Sequence, residues 1–219
     1  MSIWARVAAF GLITIFSGSI GAAAQAAECG QNEDAERASH RQLSMADFSG
    51  ARPSENGRPR SGGATAILIT TAIAVDELAA ATERQADQRW IARVSELCVR
   101  AYLMKALSGR RSEVKAAWDL RHEQGHFDLT LAHARSLERS LRELTFAADD
   151  AKAATRGLRA LARETYRARV ADLQREQDLY DRETRHGHSR AAQGRWLAEI
   201  AARLAPTSTA VVIRTESAE

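Results

Sequence analysis

Apolar residues change rhythm along the chain, and the changes mark out its elements. Val7 to Ala24 carries no charge, follows Arg6 and is interrupted by Ser17, Gly18, Ser19 and Gly21. Ending in Ala24-Gln25-Ala26, this stretch predicts a signal peptide over residues 1–26, cleaved before Ala27 rather than retained as a span. Residues 27–40 are polar and are expected to be a flexible mature N-terminus. Leu43 to Ser49 reads as a short edge strand, followed by a loop carrying Pro53, Gly57, Pro59, Gly62 and Gly63. Ala64 to Val75, rich in Ile, Thr and Val, predicts a strand. A helical turn or polar loop is expected over 76–88. Trp90 to Leu107 is a second extended segment, with a helix as the alternative because its alternation is imperfect. Gly109-Arg110-Arg111 then turns the chain.

Beyond that turn the period becomes helical. Ser112 offers a helix start, and Trp118, His122, His126, Leu129, His133, Leu137, Leu141 and Leu144 step by three or four residues along one face. Asp149-Asp150 opens a second long helix reaching about Glu183, with Leu158, Leu161, Val170, Leu173 and Tyr180 on its buried side. A last helix is expected from Ser189 to Leu204, with Trp196 and Ile200 one turn apart, before a tail at 206–219. Strands first and helices after predict an α+β fold, its antiparallel-rich sheet packed on the helix at 112–144. Residues 41–205 suffice for one domain.

Composition narrows the classes of function. The formal charge is +3, and loss of residues 1–26 removes one arginine and no acid, leaving +2. Basic and acidic residues interleave along the helices, which excludes a dedicated nucleic-acid surface. No second stretch approaches the ~20 apolar residues of a membrane span, so a periplasmic or secreted protein is expected once the signal is removed. The chain has two cysteines, Cys29 and Cys98. In an oxidising compartment a bridge closing so long a loop would stabilise by about 4 kcal/mol in the chain-entropy model; two unbridged cysteines are the alternative.

The chemistry concentrates at His122-Glu123-Gln124-Gly125-His126, an H-E-x-x-H pattern. On a helix, residues i and i+4 share a face, so both imidazoles reach one zinc ion while Glu123 acts as base on a water. Leu129 and Ala132 stand where a metzincin needs Gly and His, which excludes that subclass. His133 lies about 10 Å further along the axis and is expected to be a packed or hydrogen-bonded residue. The third ligand must come from elsewhere, and Tyr180 to His188 is the other region dense in ligand-type side chains. His186, beside Gly187 at a helix end, is the first choice; Asp181 and Glu183 are the alternatives. Tyr180 or His188 is expected to donate to the developing oxyanion, and Asp119 or Asp128 to orient a ligating imidazole.

Three stretches together carry a resemblance. Leu43-x-x-x-Asp47-Phe48-x-Gly50, HEQGHFD at 122–128, and YDRETRHG at 180–187 followed by Gln193 and Trp196 resemble a bacterial family of predicted secreted zinc-dependent proteases. That family is catalogued as a domain of unknown function within the zincin superfamily. The resemblance spans roughly residues 41–205 and departs from the family pattern at Met45, where a Trp is expected. It implies a zincin-like fold and a metallopeptidase using Zn2+, with a peptide or protein substrate in the cell envelope. The competing reading is an envelope structural or binding protein that keeps a zinc site without turnover.

Overall fold

The computed structural model describes residues 41–50, 67–110 and 117–205. The expected signal peptide at 1–26, the stretch 27–40, the loop around Pro53 to Gly63, the helix start at Ser112 and the tail 206–219 lie outside the described residues. The architecture is α+β, with antiparallel sheets, a long helix bearing the H-E-x-x-H residues, a second long helix and a C-terminal helix. Among the described residues no helix is long and apolar enough to cross a membrane.

The sheet is built on one long hairpin. Strand β1 (Ile67–Leu68) pairs with the short β4 (Gly109–Arg110), while β2 (Thr71–Arg84) and β3 (Trp90–Leu103) pair antiparallel along their length. β3 also pairs with β5 (Thr145–Ala148), giving the order β2-β3-β5. Residues 76–84, expected as a helical turn or loop, are instead the second half of β2. Two register shifts explain the missed alternation. Asp76 is an extra residue between the pairs Val75–Val99 and Glu77–Cys98, and Ser95 is the extra residue on β3 opposite Ala79 and Ala80. A bulge moves the inward face by one position: Ile73 and Val75 are buried before it and Leu78 after it. The alanines of 79–81, good helix formers in isolation, are held extended by pairing with β3. Trp90 to Leu103 is a strand as expected, not a helix. Cys98, 3% exposed on β3, is disulfide-bonded; Cys29, the other cysteine of the chain, lies outside the described residues.

Leu43 to Ser49 is not an edge strand. Met45–Asp47 forms a single 3-10 turn, because the Asp47 carboxylate accepts from the Ser44 amide (2.8 Å) and is gripped by Arg41 (2.9 and 3.0 Å). Such local side-chain bonds offer the backbone an alternative to a ladder.

Helix α1 (Ala117–Arg142) runs through the middle of the molecule. Between His122 and Ala134 its buried residues lie on every side, wider than the single stripe read from the sequence. Leu129, Leu137 and Leu141 are fully buried among Ile73 and Val75 of β2, Ala101 of β3, and residues of the two later helices. Each such side chain contributes about 1.5–3 kcal/mol by leaving water. α2 (Ala151–Thr184) starts where expected, its N-cap Asp150 accepting from the Ala153 amide at 2.7 Å. Its terminal turn is followed by three left-handed residues, Arg185 (φ 53°), His186 (φ 51°) and Gly187 (φ 84°), which reverse the chain into α3 (Arg190–Leu204). Arg135 of α1 donates to the Leu204 carbonyl (2.7 Å), occupying an end group of α3 that lacks an intrahelical partner.

Candidate metal centre

The centre lies where α1 and the last turn of α2 meet. His122 and His126 face α2 from one side of α1, and Asp181, one turn before the end of α2, faces back. The Asp181 Oδ1 lies 3.0 Å from His122 Nε2 and 2.9 Å from His126 Nε2, and the two Nε2 atoms are 3.2 Å apart. All three residues are 5% exposed. These atoms form a buried group able to hold a metal ion. Metal bonds of about 2.0–2.2 Å in a tetrahedral site put neighbouring donors roughly 3.3–3.5 Å apart, so the observed triangle fits a small cation within a few tenths of an ångström. Two imidazoles and one carboxylate are a donor set suited to a divalent transition-metal ion.

Gly125, inside the motif, lets α2 approach this closely. A Cβ there would lie 2.3 Å from the Tyr180 hydroxyl and 2.6 Å from its Cζ. The Tyr180 ring is fully buried, stacks on His122 (centroids 4.8 Å apart, planes at 11°) and meets His126 edge-on. Its hydroxyl donates to the His122 carbonyl at 3.2 Å. Burial, with the neighbouring carboxylates, pushes its ionisation well above the ordinary range. Tyr180 was expected to donate to an oxyanion; here it braces His122 and its hydroxyl is engaged with the helix backbone.

The charges near the triangle are coupled. Burial alone would raise the Asp181 carboxyl, but the hydrogen bonds and charges of His122 and His126 hold it well below the usual carboxylate range. Burial lowers His122, with Asp181 opposing. Burial also disfavours the charged form of His126, yet Asp181 and Glu123 outweigh it and raise His126 to about 9. Glu123, next to His122 in sequence, is pushed up to about 8 by burial, partly offset by His126 and by the backbone amide of Ile69 beside β1. Its Oε2 is buried and has no hydrogen-bond partner among the described residues.

His186, first choice for the third donor, is not one of the three. Its ring is 61% exposed, with Nδ1 3.4 Å from Asp181 Oδ1, at the outer edge of the group. The helix has ended before it and its exposed ring approaches Asp181, whereas Asp181, still within the last turn of α2, meets both His122 and His126. Glu183 accepts from the Trp196 indole at 2.8 Å, and His188 is exposed. His133 is buried and bonded to Glu176 of α2, as a packed residue of the same helix. Of the acids expected to orient an imidazole, Asp128 accepts instead from Gln124 (2.8 Å), whose amide also receives the Leu43 N–H (2.7 Å) and donates to the Arg41 carbonyl (3.0 Å). The wildcard Gln124 thus ties residues 41–43 to the motif helix.

The residue overlooked in the sequence is Gln177, whose Oε1 accepts from His126 Nδ1. Its signal is position: Gln177 and Asp181 are four apart on α2, as His122 and His126 are on α1, so two one-turn pairs face each other. Gln193 of α3 is also placed here, fully buried, its Oε1 3.3 Å from where a Gly187 Cβ would stand and His122 Cβ 3.2 Å from the same point.

The model of a bacterial protein family of unknown function, DUF922, matches residues 56–187, more than half of the chain, and the chain belongs to that family. The matched stretch contains 122–128 and 180–187 but not 43–50. No curated protein and no solved structure matches the chain.

Proposed function

We propose that this DUF922 protein is a zinc-dependent hydrolase acting on peptide bonds, with His122, His126 and Asp181 as the metal ligands and Glu123 as general base. One observation carries the reading: three donor atoms 2.9–3.2 Å apart, beside a buried carboxylate that has one oxygen without a partner among the described residues. A bound zinc ion would act as Lewis acid on the scissile carbonyl and acidify a water at the position its three protein ligands leave open. The chain's own groups then move the proton. Glu123 takes it from the water and passes it to the leaving amine, a role its buried Oε2, without a hydrogen-bond partner among the described residues, is free to fill. Asp181 supplies the one negative charge of the donor set, and Tyr180 and Gly125 hold the two helices at the spacing the donors need.

The same reading takes the substrate to be a peptide or protein of the cell envelope, from the export features of residues 1–26 and the expected periplasmic or secreted location. A second reading is favoured by a specific observation: His122, Glu123, His126 and Asp181 are each only 5% exposed, which leaves a polypeptide little access to the donors. A non-catalytic envelope protein with a zinc site would share that burial.

Glu123→Gln separates the two, because it removes the base and leaves the three donors. On an unbiased peptide library, the wild type is expected to cleave and the variant to lose at least about 100-fold of that rate, the scale of general-base catalysis, with its metal content unchanged. Equal cleavage by both, or none by a metal-loaded wild type, would remove the peptidase reading.

A further inference from the structure

We infer that Gln177 is a positioning residue that selects which nitrogen of His126 faces the metal; the inference rests on the metal-centre reading above. The Gln177 Nε2 lies 3.0 Å from the His126 carbonyl and 3.2 Å from the Thr130 hydroxyl, while Oε1 meets His126 Nδ1. A backbone carbonyl only accepts, so the amide nitrogen must face it. The other atom of the amide is then the oxygen, which also only accepts. Its partner, His126 Nδ1, must therefore carry a hydrogen, and in the neutral ring the lone pair is left on Nε2. Nε2 is the atom that points at Asp181 and His122.

The orientation of Gln177 is itself fixed from both sides. Thr130 donates to the same His126 carbonyl at 3.0 Å and contacts Thr71 of β2 at 2.7 Å, so the acceptors that hold the amide are pinned between α1 and the sheet. His122 has no such arrangement: its Nδ1 is buried without a partner among the described residues, and the ring is held by stacking on Tyr180. The two imidazoles are thus set differently, one by packing and one by a hydrogen-bond relay through a neutral amide. A carboxylate in place of the amide would orient the ring equally well but add a negative charge. With glutamine the donor set keeps only the charge of Asp181.

The test is zinc affinity of the purified protein, wild type against Gln177→Met, read by competition with a chromophoric chelator. Methionine keeps the packing volume and removes both polar ends. Zinc is expected to bind about 10–100-fold more weakly, and the metal-free protein to keep its fold with a lower melting midpoint, since the buried His126 Nδ1–H loses its acceptor. Unchanged affinity, with or without a loss of metal-free stability, would assign Gln177 a purely structural role and overturn the inference. A wild type that binds no zinc would overturn the metal-centre reading itself, and that result is visible before any variant is made. Should Gln177→Met not fold, histidine-labelled nitrogen NMR of the zinc-loaded wild type decides. His126 is expected to bind through Nε2 and keep a slowly exchanging Nδ1 proton; coordination through Nδ1 would contradict the inference.

Discussion

Gly125 occupies a wildcard of the H-E-x-x-H pattern, yet its missing side chain sets the distance between the two halves of the centre. Replacing it with alanine gains roughly 1 kcal/mol of helix propensity but drives a methyl into the Tyr180 ring, whose hydroxyl would be only 2.3 Å away. Overpacking of this kind costs about 1–3 kcal/mol, and Tyr180 has no free space to retreat into because it is fully buried against Trp196 and His122. Gly125→Ala is therefore expected to be destabilised, by up to about 2 kcal/mol in denaturant unfolding, and to bind zinc more weakly. A variant as stable as the wild type, with full affinity, would show that the Tyr180 contact does not set the spacing. At this scale the sequence already showed His122, Glu123 and His126 as a group, since helical spacing alone brings them together. It left Asp181 as an alternative to His186, because the choice among Tyr180 to His188 depends on where α2 ends, and helix ends are poorly marked by sequence. His186 does approach, its Nδ1 3.4 Å from Asp181 Oδ1, but the closer group is the one Asp181 makes with both histidines.

The three helices are tied to one another by a second polar cluster, one turn and a half beyond the centre. Glu176 of α2 accepts from buried His133 of α1 through Oε2 and from Arg203 of α3 through Oε1. The His133 hydrogen bond and the Arg203 guanidinium lower the Glu176 carboxyl from 4.5 to about 2 against the opposing effect of burial. A carboxyl depressed in the folded state stabilises it above the unfolded value, and that contribution is lost as pH falls through the folded one. Stability is thus expected to decline between pH 4.5 and 2, by on the order of 2–3 kcal/mol from this group. Glu176→Gln should lose most of that at pH 7 and show a flatter acid limb in chemical denaturation of metal-free protein. An acid limb identical to the wild type would exclude this tie. Helical period made α1, α2 and α3 legible with boundaries close to those found. The hairpin was less so: Asp76 and Ser95 break the alternation, and the alanines that follow favour helix until β3 is there to pair with them.

At the level of the whole molecule, the sheet and helices arrange two short helical segments, one from each long helix, around a common point. The α+β class and the order of elements could be read from the change of hydrophobic period. The meeting of residues 122–126 with 177–181 could not, because it depends on how a 34-residue helix returns across the sheet. The most direct test of the account is the zinc content of the purified protein and of three variants: His122→Ala/His126→Ala, Asp181→Ala and His186→Ala. About one zinc per chain is expected in the wild type and in His186→Ala. Stoichiometric zinc is expected to be lost from the double variant, and Asp181→Ala to lose affinity beyond the roughly 10–100-fold typical of outer partners. Full zinc retained by Asp181→Ala, or lost from His186→Ala alone, would contradict the account.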